Sequence, residues 1–227
     1  MTQARDRVLG AVRDALLRAE LPHSRGERPF YVVPPDESAA GEMEGRFTCA
    51  FQALTGEVHY ADSLDEIADS IAGICRAGGA GSYLSWDEEA LGCSGLVDRL
   101  LSRGLCRVSY DLPLDPPGRF ERIRALADVG VGVTGADAAL ADSGAIVVAS
   151  GPGRGRLASL LPPVHIALLK RDRMCSSLPA LLAARPDLVV AGSNLVVIAG
   201  PSRTADIEMT LTHGVHGPKH VHAILIR

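Results

Sequence analysis

Five short apolar runs dominate the second half of the chain: residues 129–134, 145–150, 164–169, 195–200 and 221–226. Each is too short for a helix of ordinary length and is rich in Val, Ile, Leu or Ala. Such runs suit strands buried on both faces, the pattern of parallel strands covered by helices. Residues 134–144 break the series. They alternate small residues and end in Asp142-Ser143-Gly144, a turn signal, so a short hairpin interrupting an otherwise parallel sheet fits them.

The segment before these runs supplies the covering helices. A strand over 57–60 is followed by Ser63 and Glu66, a Ser-x-x-Glu capping box, and then by the stripe Leu64, Ile67, Ala68, Ile71, Ile74 and Cys75. Gly78-Gly79 closes that helix. A strand over 82–86 follows, then a helix carrying Leu96, Val97, Leu100 and Leu101, and a strand over 106–111. A further helix carries Phe120, Ile123 and Leu126. Strand–helix alternation of this kind calls for a three-layer α/β fold, a mostly parallel sheet with right-handed crossovers and a hairpin insertion. Ahead of it, residues 3–19 read as an amphipathic helix with Val8, Val12, Ala15, Leu16 and Ala19 on one face. Residues 21–45 are rich in Pro, Gly and charge, as in a linker or extended arm. The division is therefore 1–45 as a helix and arm, and 46–227 as the main domain.

Composition narrows the function classes. Hydrophobic residues make up 47% but aromatics only 4%, so Leu, Val, Ile and Ala must build the core. The net charge of −4 and the scattered Lys and Arg give no nucleic-acid footprint. No apolar run reaches the ~18 residues of a membrane span. Residues 1–20 mix Arg and Asp with Leu and Val and lack a signal-peptide core, so a cytoplasmic location is expected. Cys49, Cys75, Cys93, Cys106 and Cys175 are odd in number, widely spaced and without a Cys-x-x-Cys. They offer no visible zinc or iron–sulfur ligand set and read as reduced, mostly buried thiols.

In open α/β sheets ligands gather at the carboxyl ends of strands, which directs attention to the loops there. In Thr134-Gly135-Ala136-Asp137, Gly135 lets backbone approach a ligand. Asp137 is either a general base or substrate anchor, or a turn residue capping amides. In Gly151-Pro152-Gly153-Arg154-Gly155-Arg156, a glycine-rich turn opens an apolar segment. Arg154 and Arg156 are fork-shaped donors for carboxylate or phosphate, or else solvated surface arginines. The spacing is neither a dinucleotide fingerprint nor a Walker A loop. Gly200-Pro201-Ser202-Arg203-Thr204-Ala205-Asp206-Ile207-Glu208 reads as a strand leading into a helix. Ser202 or Thr204 would be its cap, Asp206 and Glu208 its first turn, and Arg203 an anion ligand. Finally, His213, His216, Lys219, His220 and His222 crowd the approach to the last strand. His220 and His222 would share one strand face, with Asp206 or Glu208 as a third metal ligand. The alternative, polar residues lining a cleft with Lys219 on the same anion, is preferred, and no metal is assigned.

The segments GVTGADAALADSGAIVVASGPGRGRLASLLPPVHIAL (132–168) and GPSRTADIEMTLTHGVHGPKHVHAILI (200–226) resemble the two signature blocks of the LUD-domain family of lactate utilisation proteins C. The resemblance implies a fold similar to the glucosamine-phosphate isomerase, ribose-phosphate isomerase and CoA-transferase superfamily. It also implies a role beside two iron–sulfur partners, the A and B proteins, in oxidising L-lactate to pyruvate. Iron–sulfur clusters would then sit on the partners, with no cofactor on this chain. Within the two blocks the candidate catalytic residues are Asp137, Glu208, His216 and His220. The candidate substrate or anion ligands are Gly135, Gly151, Gly153, Arg154, Arg156, Ser202, Arg203, Thr204, Asp206 and Lys219.

Three functions remain open at this level. The chain is a subunit of a lactate-oxidising complex rather than an autonomous enzyme, or an enzyme on a phosphorylated or CoA-linked small molecule, or a non-catalytic assembly protein docked through its first helix. Superfamily likeness transfers a fold and not a reaction.

Overall fold

The computed structural model describes residues 2–18, 40–205, 211–213 and 217–227. The chain divides into two compact units, Met1–Val32 and Val33–Arg227. The first contains helix α1 (Thr2–Arg18), whose Val8, Val12 and Leu16 are exposed.

The second unit begins with α2 (Ala40–Ala53), which starts within the stretch expected to be an arm. Its Phe47 and Phe51, one turn apart, are fully buried and stack with ring centroids 5.4 Å apart. Then come β1 (Glu57–Ala61), α3 (Leu64–Ala77), β2 (Ser82–Ser85), α4 (Glu88–Leu91), α5 (Leu96–Ser102), β3 (Cys106–Val108) and α6 (Pro116–Ala127). The cap of α3 forms as expected: the amide of Glu66 donates to Ser63 Oγ at 3.2 Å. Glu66 in turn accepts from the amide of Asp62 at 2.9 Å. Ile67, Ala68, Ile71 and Cys75 of its stripe are buried.

Next come β4 (Val131–Gly135), β5 (Ala138–Leu140), β6 (Ala145–Ser150), α7 (Leu157–Leu160), β7 (Val164–Lys170) and β8 (Met174–Cys175). The chain continues through α8 (Leu178–Ala184), α9 (Asp187–Ala191), β9 (Asn194–Ile198), β10 (Arg203–Ala205), β11 (Leu211–His213) and β12 (His220–Ile226). Among the described residues the main sheet has six strands in the order β1-β12-β7-β4-β2-β3, every neighbouring pair parallel. Side-chain alternation assigns its faces. Gly132 and His165 are register partners on one face. A Cβ on Gly132 would fall 1.8 Å from the Ala158 carbonyl oxygen, so α7 packs there. The paired Glu57 and His222 lie on the other face, towards α3. Helices on both faces make the three layers that strand–helix alternation calls for.

Two expectations are corrected. Residues 145–150 and 195–200 do not join the parallel sheet. β6 and β9 pair antiparallel in a second sheet of order β8-β5-β6-β9. One face of this sheet (Ala139, Ile146, Val148) joins the main core, and the other (Ala138, Leu140, Val147) packs with Leu181 of α8. β6 is buried on both faces and β9 is partly buried with only Val197 exposed, so these strands carry the apolar signature of parallel ones. Nor is Arg203–Ala205 the start of a helix: it is the strand β10, paired antiparallel with β11, with Thr204 opposite Thr212. The cysteines are more mixed than expected, with Cys75 and Cys93 buried but Cys49 and Cys106 exposed. No helix of the described residues is long and apolar enough to cross a membrane.

Candidate functional site

The chain passes from one sheet to the other at Ala136 and Asp137, beyond the carboxyl end of β4. The amide of Ala136 donates to Leu168 of β7 at 2.9 Å, and the next amide, of Asp137, donates to Val147 of β6 at 2.8 Å. This crossing fixes the Asp137 side chain in a nearly closed position, 5% exposed. Its Oδ2 accepts from the amide of Ala149 at 2.7 Å, and its Oδ1 accepts from Arg154 Nη1 at 2.7 Å. A buried carboxylate needs such partners, because leaving either oxygen bare costs its desolvation.

Arg154 belongs to the glycine-rich turn after β6, and that turn is tied down. Gly151 and Arg154 bridge through reciprocal backbone hydrogen bonds, Gly153 takes a left-handed conformation (φ 69°), and its carbonyl accepts from the amide of Asp87 at 2.9 Å. Trp86 Nε1 donates to the Gly155 carbonyl at 3.2 Å, and its ring lies under the Arg154 guanidinium, 5.3 Å from the centroid. Gly135 makes room for that ring: a Cβ there would sit 3.4 Å from Trp86 and 3.2 Å from the Ala90 carbonyl. Arg154 is thus aimed by an ion pair, an aromatic face and a pinned loop, while its side chain remains 36% exposed.

The exposed part of Arg154 faces a polar cavity of about 250 Å³ shared with Asp137, Trp86, Glu89, Lys170 and Arg173. A second cavity of about 500 Å³ adjoins it through Arg154 and is lined by Tyr110, Gly151, Gly155, Arg156 and Ser193. Chemically, the arrangement presents the fixed Arg154 guanidinium and the nearby Lys170 ammonium to a small anion at the carboxyl edge of the sheet. Both oxygens of Asp137 are engaged, so it orients Arg154 and is not a bare base.

Gly135, Asp137, Gly151, Gly153, Arg154 and Arg156 therefore gather at one edge. Ser202, Lys219 and His220 lie at the other. The amide of Lys219 donates to the Pro163 carbonyl just before β7, and His220 is the first residue of β12. The amide of Ser202 donates to Pro218 at 2.8 Å. Arg203 and Thr204 are in β10, while Asp206, Glu208 and His216 lie outside the described residues. The two sequence blocks meet through the pairing of β7 with β12, but their candidate residues do not converge on one site among the described residues. Trp86, Lys170 and Arg173 were missed from sequence. Lys170 carried a signal, a lone cation ending an apolar strand at the carboxyl edge.

At the amino edge, His220 and His222 share a strand face as expected. They line a cavity of about 530 Å³ with Glu57 and His59 of β1 and the α3 face bearing Ser70, Gly73, Ile74 and Ala77. Burial pushes His222 down to about 4, with neighbouring His59 and His220 acting in the same direction against the raising effect of Glu57.

The LUD domain family model matches residues 45–226. A protein named Lactate utilization protein C from Geobacillus sp. is 31% identical over 71% of this chain and 68% of its own length. One of the same name from Halalkalibacterium halodurans is 27% identical over 96% of this chain and 95% of its own. The crystal structure of a DUF162 family protein from Deinococcus radiodurans superposes with a TM-score of 0.56. It has 18% identity and covers 84% of this chain and 99% of that one, a likeness of fold. The match across most of the main unit, on the sheet and hairpin that build the Asp137–Arg154 edge, makes this chain a member of the LUD-domain family.

Proposed function

We propose that this chain is the C component of an iron–sulfur system that oxidises L-lactate to pyruvate, working in the cytoplasm and holding a small carboxylate at the carboxyl edge of its main sheet. The names of its relatives support the metabolic role. The convergence of Arg154, Lys170 and Arg173 on one polar cavity of about 250 Å³ carries the ligand class. A pinned guanidinium suits bidentate binding of a carboxylate, and the ammonium of Lys170 supplies a second point of charge. On this reading the chain binds and orients the hydroxy acid, and the electrons pass to the iron–sulfur partners A and B.

The test is lactate-dependent dye reduction by the purified chain and by the complex recovered from lactate-grown native cells. Activity is expected only in the complex; substantial turnover by the chain alone would refute the subunit reading. Within the complex, Arg154→Ala should raise the lactate KM at least about tenfold, the loss of roughly one charge-assisted contact. An unchanged KM would move the carboxylate elsewhere.

The adjoining cavity of about 500 Å³, which shares Arg154 and adds Arg156, favours a second reading: an enzyme on a phosphorylated or CoA-linked small molecule. That reading predicts thermal stabilisation by such anions and none by lactate, through the linkage of binding to folding.

A further inference from the structure

The amino edge of the main sheet carries a second constellation, independent of the lactate reading. β1 and β12 run parallel with Glu57 opposite His222. Side chains two apart on a strand share a face, so Glu57 and His59 project from β1 on the same side as His222 from β12. Three donor atoms converge there. His59 Nε2 lies 3.2 Å from His222 Nδ1, Glu57 Oε2 lies 3.7 Å from the same nitrogen, and all three are within 4.8 Å of one another.

These separations have a chemical meaning. With metal–ligand bonds of about 2.0–2.1 Å, two ligands on a tetrahedral zinc stand roughly 3.3 Å apart. The two separations from His222 Nδ1, 3.2 and 3.7 Å, lie close to this spacing, and the third is within 4.8 Å; the donors are placed by the register of two neighbouring strands rather than by a loop. A hydrogen bond across the 3.2 Å contact uses one protonated and one bare imidazole nitrogen; a cation bound between the rings would use both nitrogens bare. A shared cation accepts lone pairs from both.

The fourth direction is open. The cavity of about 530 Å³ adjoins the same three residues, with α3 forming its opposite wall. Gly73 of α3 contributes to the opening, since a Cβ there would meet nothing within 4 Å. Three protein ligands beside a cavity is the arrangement of an open zinc site, in which solvent or a small molecule takes the remaining position, whereas closed structural sites use four protein ligands. Two imidazoles and one carboxylate favour zinc, cobalt or nickel over magnesium and calcium, which prefer all-oxygen sets.

We infer that Glu57, His59 and His222 form a divalent transition-metal site of zinc type whose open coordination position faces the cavity between the sheet and α3. The site lies at the opposite sheet edge from Asp137 and Arg154, so it stands or falls separately from the carboxylate cleft.

Metal binding tests this directly. The untagged full chain, stripped with EDTA, is titrated with Co²⁺ while the visible d–d absorption is followed, and with Zn²⁺ by calorimetry. The expected result is one equivalent bound, with the cobalt spectrum displaced by zinc. Glu57→Gln and His59→Ala should each weaken binding at least about tenfold. Glu57 is exposed and His59 only half-buried, so neither exchange opens the core. Histidine side-chain resonances of the unmutated protein give a readout free of folding effects: zinc should shift His59 and His222. No binding, or binding through other histidines with both variants unaffected and the His59 and His222 resonances unmoved, would overturn the site.

Discussion

At the residue scale, the Asp137–Arg154 pair makes a measurable claim about which partner matters to the fold. Asp137 is closed in and satisfies the Ala149 amide as well as the guanidinium, whereas Arg154 keeps a third of its side chain in solvent. Asp137→Ala strands a buried amide and releases the arginine, and should cost about 1–3 kcal/mol. Arg154→Lys keeps a charge near the carboxylate but loses the fork, so it should cost less in stability while still impairing the cleft. Urea denaturation of the two variants beside the unmutated chain checks the order; a larger loss for Arg154→Lys would contradict it. Asp137 and Arg154 were legible in sequence because each follows a strand in a loop with glycine. Trp86 was not, and Lys170 showed only as a cation ending an apolar strand, because their part in the cleft depends on how β2, β4 and β7 line up, which local sequence does not encode. Glu57 and His59 were overlooked for the same reason: they become neighbours of His222 only through the pairing of chain-distant strands.

At the element scale, the alternation of strands and helices was legible, while the partner of each strand was not. An apolar run reports burial on two faces and is silent on direction, so β6 and β9 passed for members of the parallel sheet. α2 escaped because Gly, Thr and Ala dilute its helical pattern, although Met43, Phe47 and Phe51 recur at four-residue spacing. That helix meets the hairpin at Gly144, where sequence had foreseen a turn. Gly144 has φ 63°, and a Cβ on it would fall 2.3 Å from the Phe51 nitrogen. Gly144→Ala therefore combines the roughly 1–2 kcal/mol of a left-handed L-residue with displacement of α2. A loss of at least about 2 kcal/mol is expected in urea denaturation, with the exposed Gly81→Ala as the control that meets open space. Equal stability of the two variants would show that the hairpin and α2 are not locked together at this point.

At the scale of the whole molecule, the central sheet carries a titratable group with no role at either edge. His165 lies within β7, between β12 and β4, and is fully buried; its Nε2 is 2.9 Å from Thr134 Oγ1, while Nδ1 has no partner among the described residues. Burial, helped by the nearby His222, pushes it down to about 4 from the 6.5 of an unstructured histidine. Between those values the unfolded chain takes up a proton that the folded chain refuses, so stability is full above about pH 6.5 and falls as pH drops towards 4. The shift corresponds to a loss on the order of 3 kcal/mol over that window, at 1.36 kcal/mol per pH unit. Replacing the group with the uncharged His165→Gln should lower stability at neutral pH yet reduce the dependence between pH 6.5 and 4, leaving the part that His222, also pushed down to about 4, contributes. The experiment is a set of urea midpoints across that range in the presence of EDTA, which keeps any metal at the amino edge out of the comparison. If the two proteins lost stability in parallel, His165 would be protonated without cost in the fold, and the acid sensitivity of the molecule would belong to other groups.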